Sequence, residues 1–342
     1  MAKIILLITV LLVTVALVVS IVSKKQQTTS NTNISFSPEM TKEAKDPFFD
    51  LTIPYLRSRT YESSLGSRTK YKEYNTYTSY LTSYTSDNLQ INGLLTIPKG
   101  DGPHPAIVFV HGYIAPSIYV TTERYVDYVD ALASNGFVVF KIDLRGHGKS
   151  QGEPGGAYYS SDYVIDTLNA YAALAHADFV DATRIGLWGH SMAGNVVARA
   201  LSAKPTIKAT VIWAGAGYTY KDLLSYGLQD NSYRPPSLTT ARQEKRAMLR
   251  ALHGEFTESD PFWKTVAIPD YLPDITGAVG VHHAIDDTVV NISYSRDLVS
   301  LLEKNNVTHE YFEYKSGGHN ISGGSFSQAM KRTIAFYKKY LF

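Results

Sequence analysis

A β-type run that ends in a glycine-flanked serine constrains this chain more than any other feature. Arg184–Trp188 is followed directly by the six residues Gly-His-Ser-Met-Ala-Gly, with Ser191 in third place. A serine can occupy a strained turn between a strand and a helix only if the residues two positions before and after it are small. Gly189 and Ala193 meet that requirement, although glycine is usual in the second place. The pattern predicts a nucleophile elbow centred on Ser191.

An acid and a histidine follow in the order that such a nucleophile needs. The run 277–283 reads as a buried strand, and Asp286 and Asp287 lie in the loop after it. The alternating run 307–314 reads as the next strand and leads to His319. A serine hydroxyl needs a base in hydrogen-bond contact, and a carboxylate behind the imidazole fixes its tautomer. We therefore predict Ser191, His319 and Asp286 as the catalytic residues, with Asp287 as the alternative acid, next to a predicted helix over 290–303.

The developing oxyanion also needs hydrogen-bond donors. The apolar run 106–110 predicts a central strand, and His111-Gly112-Tyr113 follows it. Backbone N–H groups of Met192 and of the loop near Tyr113 are the expected donors. The Tyr113 hydroxyl either adds a donor or serves as a wall of the cleft.

Four further histidines are predicted to be packing residues rather than metal ligands. His282 and His283 are adjacent on a predicted strand, so their side chains point to opposite faces. His147 and His190 read as packing groups of a turn and a loop. The sequence predicts no metal site and no cofactor.

These motifs together resemble the α/β-hydrolase superfamily, and in particular the catalytic domain of the prolyl oligopeptidase family of serine peptidases. The resemblance covers roughly residues 88–342 and is carried by the segments 106–112, 143–150, 189–194, 260–272, 282–289 and 317–319. It implies a serine-type peptidase that forms an acyl-enzyme, with a carboxylesterase as the alternative. The sequence departs from the family pattern at His283, where glycine is common, and at Ala193.

Composition narrows the function classes further. The chain has no cysteine, which excludes a thiol nucleophile, disulfides and cysteine-ligated metals. The 33 basic and 31 acidic residues leave a net charge of +2, which gives no general attraction to nucleic acid. The expected partner is a peptide or ester substrate.

The N-terminus predicts a membrane anchor. Residues 4–22 carry no charge and would span about 28 Å as a helix, close to the hydrocarbon thickness of a bilayer. We expect an uncleaved anchor over 1–23 and a catalytic domain outside the cytoplasm. A cleaved signal peptide and a secreted protein are the alternative, and the flanking lysines leave the orientation open.

The rest of the chain predicts a mainly parallel sheet with helices on both faces. A polar linker is expected over 24–50 and the catalytic domain over 51–342. Two antiparallel strands joined by a turn at Asp87-Asn88 are expected to lead into the sheet, and strands and helices then alternate along the chain. The interval 217–276 is too long for an ordinary connection and predicts a helical cap over the cleft. Basic side chains of its helix 239–252 either face solvent or select acidic groups.

Overall fold

One mixed sheet organises the part of the chain that the structure describes. The structure, a computed structural model, describes residues 46–228, 240–257 and 259–342. Its strands are β1 (Thr69–Glu73), β2 (Tyr77–Ser86), β3 (Leu89–Pro98), β4 (His104–Val110), β5 (Val138–Ile142), β6 (Val180–His190), β7 (Ala209–Trp213), β8 (Ala278–Ala284) and β9 (His309–Tyr314). Their order across the sheet is β1-β2-β3-β5-β4-β6-β7-β8-β9.

The chain enters this sheet through an antiparallel hairpin. Strands β2 and β3 pair from Tyr77 with Pro98 to Ser86 with Leu89. Asp87 and Asn88 connect them with φ angles of 50° and 63°. Two left-handed residues in a two-residue loop match the right-handed twist of the strands, and Asp and Asn tolerate that conformation. From β5 to β9 all neighbours are parallel, so the predicted mainly parallel sheet is confirmed.

Helices cover both faces of the sheet. They are α1 (Ile53–Ser58), α2 (Val126–Ala133), α3 (Asp162–Ala175), α4 (Met192–Ala203), α5 (Tyr220–Tyr226), α6 (Thr240–His253), α7 (Pro261–Val266), α8 (Ser293–Lys304) and α9 (Gly324–Leu341). Along β4 the side chains alternate: Val108 packs with α3 and α4, whereas Ile107 and Phe109 pack with α2 and α9. Burial on both faces accounts for the continuous apolar runs of the central strands.

The long connection between β7 and β8 carries α5, α6 and α7, in agreement with the predicted helical insertion. Leu249 of α6 and Trp263 of α7 form a small apolar cluster with Phe48 and Leu51. Phe48 is 2% exposed. Phe48 therefore belongs to the packed region, although the sequence predicted a polar linker up to residue 50.

The predicted membrane anchor and most of the linker lie outside the described residues. Within the ranges that are described, no helix combines the length and apolar character that crossing a bilayer requires.

Candidate active site

Ser191 occupies a strained turn between β6 and α4. Its backbone angles are φ 57° and ψ −122°, a region that residues with a side chain rarely adopt. A Cβ at Gly189 would lie 2.6 Å from the carbonyl oxygen of Ala193 and 2.9 Å from Cγ2 of Val197. The Ser191 N–H donates to the carbonyl of Trp213 over 2.9 Å. The turn is therefore fixed by neighbouring backbone and needs glycine at 189.

His319 and Asp287 form the hydrogen-bonded pair of the site. His319 follows β9 in the short helical turn Gly318–Asn320, and its Nδ1 lies 2.8 Å from Oδ2 of Asp287. Because a carboxylate accepts, Nδ1 carries the proton, and neutral His319 has its lone pair on Nε2. The Asp287 side chain is fully buried, whereas that of His319 is 17% exposed.

Asp286, the acid favoured from the sequence, does not contact His319. Its carboxylate accepts the backbone N–H groups of Gly317 and Gly318 over 3.2 and 2.8 Å. The reason is a turn after β8, closed by the Asp287 N–H on the carbonyl of Ala284 over 3.2 Å. This turn leaves Asp286 exposed at its corner and brings Asp287 inward. The prediction of Asp286 as the partner of His319 was wrong by one residue.

The two carboxylate oxygens of Asp287 have separate partners. Oδ1 accepts the N–H groups of Val289 and Val290 over 2.8 and 3.0 Å. Oδ2 accepts from His319 and, over 3.1 Å, from Nε2 of His283. Burial by itself would raise the pKa of Asp287, but the hydrogen bonds from His283 and His319 outweigh it and hold that pKa well below its usual range. Asp287 is therefore ionised at neutral pH.

His283 is more than the packing residue that the sequence predicted. Its ring is fully buried, and its Nδ1 lies 2.7 Å from the Ser295 hydroxyl. Its Nε2 also lies 3.0 Å from the carbonyl of Val290, which accepts only, so Nε2 carries the proton. Ser295 then donates to Nδ1. His282 points the other way, to the hydroxyl of Tyr314 over 2.9 Å, as the alternation of a strand requires.

A cavity of about 620 Å³ opens at Ser191 and His319, and both residues line it. Tyr113 and Met192, the predicted oxyanion residues, line it as well. Met192 is the first residue of α4, where a helix offers an N–H without an intrahelical acceptor. Tyr113 follows the end of β4 by three residues. The cavity thus brings together four of the five site residues predicted from the sequence and leaves out Asp286.

His147 and His190 also line this cavity, although both were predicted as packing groups. The ring nitrogens of His147 each lie 3.2 Å from a backbone carbonyl, of Arg145 and of Ile114. Burial lowers the pKa of His147. His190 hydrogen-bonds through both ring nitrogens, to Tyr125 over 2.8 Å and to the backbone carbonyl of His319 over 2.9 Å.

The insertion between β7 and β8 contributes Leu228 and Arg246 to the cavity lining. The Arg246 guanidinium lies 4.9 Å from the ring centre of Tyr159, which also lines the cavity. Two other basic residues of α6 have acidic partners on the surface: Lys245 lies 3.3 Å from Asp50, and Arg250 lies 3.5 Å from Glu255.

The proteins and families to which this chain is similar include hydrolases. Residues 101–245 match the family described as Serine aminopeptidase, S33, a segment that contains Ser191 and ends before Asp287. A 31.7 kDa protein of the traX-finO intergenic region of Escherichia coli is 27% identical over 144 residues, 42% of this chain and 48% of that protein. The match thus spans about half the length of that relative. A protein of Bacillus subtilis named as the uncharacterized peptidase YtmA is 25% identical over 247 residues, 70% of this chain and 85% of that protein.

Solved structures of both esterases and peptidases share the fold. Acetyl xylan esterase 1 from Thermoanaerobacterium has a TM-score of 0.58 at 19% identity, over 85% of this chain and 92% of that chain. Acylaminoacyl peptidase from Pyrococcus horikoshii has a TM-score of 0.60 at 20% identity, over 80% of this chain and 44% of that chain. At these identities the likeness shows the fold alone.

Proposed function

We propose, since this chain belongs to the α/β-hydrolase superfamily and is related to the prolyl oligopeptidase-like hydrolases, that it is a serine peptidase. In this proposal Ser191 is the nucleophile, His319 the general base and acid, and Asp287 the residue that orients His319. The observation that carries it is the bond between His319 and the buried Asp287 carboxylate beside the cavity that holds Ser191.

The first step of the proposed reaction forms an acyl-enzyme. His319 Nε2 takes the hydroxyl proton of Ser191 as Oγ attacks the carbonyl carbon of the scissile bond. The His319 proton then passes to the departing nitrogen as the carbon–nitrogen bond breaks. Asp287 stabilises the imidazolium between these two transfers, because it stays ionised and accepts from Nδ1. Water, activated by the same histidine, releases the acyl group.

The backbone N–H groups of Met192 and Tyr113 are the proposed donors to the oxyanion. Both residues line the cavity beside Ser191. An N–H at the first turn of a helix carries a partial positive charge, which favours the negative oxygen of the intermediate. Donors of this kind typically contribute about 10²–10³ in rate.

Support for a peptide substrate comes from the matched serine aminopeptidase family and from the relative named as a peptidase, which aligns with 70% of this chain. The cavity volume of about 620 Å³ suits a substrate of a few residues. Tyr113, Tyr158, Tyr159 and Phe326 line it and would favour apolar or aromatic side chains.

A carboxylesterase is the second candidate. Support for it comes from a relative named as an esterase, Esterase FrsA of Shigella boydii, which is 31% identical over 120 residues, 35% of this chain and 27% of that protein. The triad chemistry is the same for an ester, whose alkoxide leaving group needs less help from the protonated histidine than an amine does.

The nucleophile is tested by labelling with a fluorophosphonate. We expect wild-type protein to be labelled on Ser191, and Ser191→Ala to lose both the label and about 10⁴-fold or more of the turnover. Ser150→Ala is the matched control, because the Ser150 hydroxyl accepts the backbone N–H of Asn92 over 2.9 Å. Label on Ser150 in the wild type, or an active Ser191→Ala, would refute the assignment.

The substrate class is tested with two compounds that share one acyl group. N-acetyl-alanine p-nitroanilide offers an amide bond and N-acetyl-alanine p-nitrophenyl ester an ester bond, with Ser191→Ala as the blank for each. A peptidase should turn over both compounds, and also short unmodified peptides. Turnover of the ester alone would identify the protein as a carboxylesterase.

A further inference from the structure

Three loops of the site are connected by one chain of hydrogen bonds. The Gly112 N–H donates to the Tyr125 hydroxyl oxygen over 3.0 Å. The Tyr125 hydroxyl lies 2.8 Å from Nδ1 of His190. Nε2 of His190 lies 2.9 Å from the carbonyl oxygen of His319. A carbonyl only accepts, so Nε2 carries the His190 proton and the direction of every bond is fixed.

The charge state of His190 is consistent with these directions. Burial, reinforced by nearby His319, lowers the pKa of His190 to about 3. The ring is therefore neutral, with one N–H for the carbonyl of His319 and one lone pair for the Tyr125 hydroxyl. A protonated ring would have no acceptor left for that hydroxyl.

Backbone conformation and close packing show that Tyr125 is held in place. It precedes α2 with φ 61° and ψ 25°, a left-handed conformation that bulky residues rarely adopt. Its ring packs edge-on against Phe109 and Trp188, at centroid distances of 5.5 and 5.9 Å. A Cβ at Gly112 would lie 2.8 Å from the Tyr125 hydroxyl oxygen and 3.0 Å from Nδ1 of His190. The chain of bonds therefore requires glycine at 112.

We propose that Tyr125 and His190 are positioning residues that hold the oxyanion loop at a fixed distance from the loop of His319. This inference rests on the proposed function. Gly112 precedes Tyr113, a proposed oxyanion donor, and His190 precedes the nucleophile Ser191. The bond to the His319 carbonyl fixes the backbone that carries the base. One hydroxyl and one imidazole thus set the relative positions of donor, nucleophile and base.

The test is Tyr125→Phe, which keeps the ring and removes the hydroxyl. Small displacements of catalytic groups cost rate rather than ground-state binding. With N-acetyl-alanine p-nitrophenyl ester as substrate, we expect kcat to fall by about 10–10², and KM to change by less than about twofold. The rate of fluorophosphonate labelling should fall by a similar factor.

Tyr77→Phe is the matched control. Its hydroxyl is likewise hydrogen-bonded, as a donor to Asp130 of α2 over 2.8 Å, but Tyr77 does not line the cavity. We expect it to change the melting temperature as much as Tyr125→Phe does and to leave kcat unchanged. If both variants lose kcat in proportion to stability, Tyr125 has a structural role only and the proposal fails.

A double-mutant cycle tests whether the pair acts as one unit. His190→Gln replaces the ring, and the combination with Tyr125→Phe should be no slower than the slower single variant. Additive losses, an unchanged kcat in Tyr125→Phe, or an effect on KM alone would overturn the inference. If Ser191→Ala retains activity, the proposed function fails and this inference fails with it. If Ser191→Ala is inactive and Tyr125→Phe is fully active, the inference is overturned and the proposed function stands.

Discussion

Oδ2 of Asp287 lies 2.8 Å from Nδ1 of His319, whereas Oδ1 of the same carboxylate holds the backbone of the loop that follows it. The residue that orients the imidazole therefore also fixes its own loop. Removing its charge should affect catalysis more than folding, because the loop can keep an amide oxygen as acceptor.

Asp287→Asn is expected to lower kcat by roughly 10³–10⁴, because an amide can hold the His319 imidazole in the wrong tautomer. Asp286→Asn is the matched control. It should cost far less, since Asp286 is exposed and, among the described residues, accepts hydrogen bonds from the N–H groups of Gly317 and Gly318. The two variants are compared by kcat at equal folded fraction. An inactive Asp286→Asn with an active Asp287→Asn would contradict the geometry.

Replacing His283 should weaken the support of the Asp287 carboxylate. His283→Leu removes one of the two side-chain donors of Oδ2, and the pKa of Asp287 should rise because the hydrogen bond from His283 helps to hold it down. His283→Gln retains an N–H donor and should stay close to the wild type. A carboxyl NMR titration of Asp287 measures the shift, and an unchanged titration in His283→Leu would refute it.

The strained turn at Ser191 gives a steric prediction. Gly189→Ala places a Cβ 2.6 Å from the carbonyl oxygen of Ala193 and should displace the elbow. We expect loss of fluorophosphonate labelling and a lower unfolding free energy, by about 2 kcal/mol or more. Ala193→Gly introduces the usual residue of this motif and should retain activity, at a cost of about 1 kcal/mol for glycine in a helix. Tolerance of Gly189→Ala would show that the turn can relax.

Two buried histidines should make folding sensitive to acid. Burial lowers the pKa of His190 and His282 to about 3, below the ordinary value near 6.5. The folded state thus binds fewer protons than the unfolded state between these values. The stabilisation is present above about pH 6.5 and is lost as pH falls toward 3.

Urea unfolding at pH 7.5 and pH 5 measures this loss, expected to be on the order of 2 kcal/mol for each group. His282→Gln removes one titrating ring outside the site and should reduce the loss of stability by about 2 kcal/mol. Equal slopes for this variant and the wild type would contradict a buried neutral His282.

The sheet and its helices could be predicted because each central strand is buried on both faces and reads as an apolar run. The starts of two helices differ from the pattern in the sequence, and each difference has a local cause. The apolar spacing of Val126, Val129 and Leu132 would allow a helix from Thr122, but α2 begins at Val126 because Tyr125 adopts a left-handed conformation. The helix predicted from Val290 begins at Ser293, because Asp287 holds the N–H groups of Val289 and Val290.

Within the site, spacing along the chain predicted Ser191 and His319 but not which of two adjacent carboxylates faces inward. That choice depends on the turn closed between Ala284 and Asp287, which residue types alone do not specify. The bond from His283 to Asp287 was missed for a related reason: a histidine on a buried strand is usually a packing residue. Its departure from the family's glycine was the one available signal.

The location of Ser191 and His319 on different parts of the sheet has a consequence for the order of folding. Ser191 follows β6, near the middle of the sheet, whereas His319 follows β9 at its edge. Bringing His319 to Ser191 joins residues 128 positions apart, a larger separation than in any pairing between parallel strands of this sheet, and closing long loops has an entropic cost. The turn at Ser191 can therefore form during folding before His319 reaches its position beside it. Labelling of Ser191 during refolding should lag behind the collapse of the central strands and report the docking of β8 and β9.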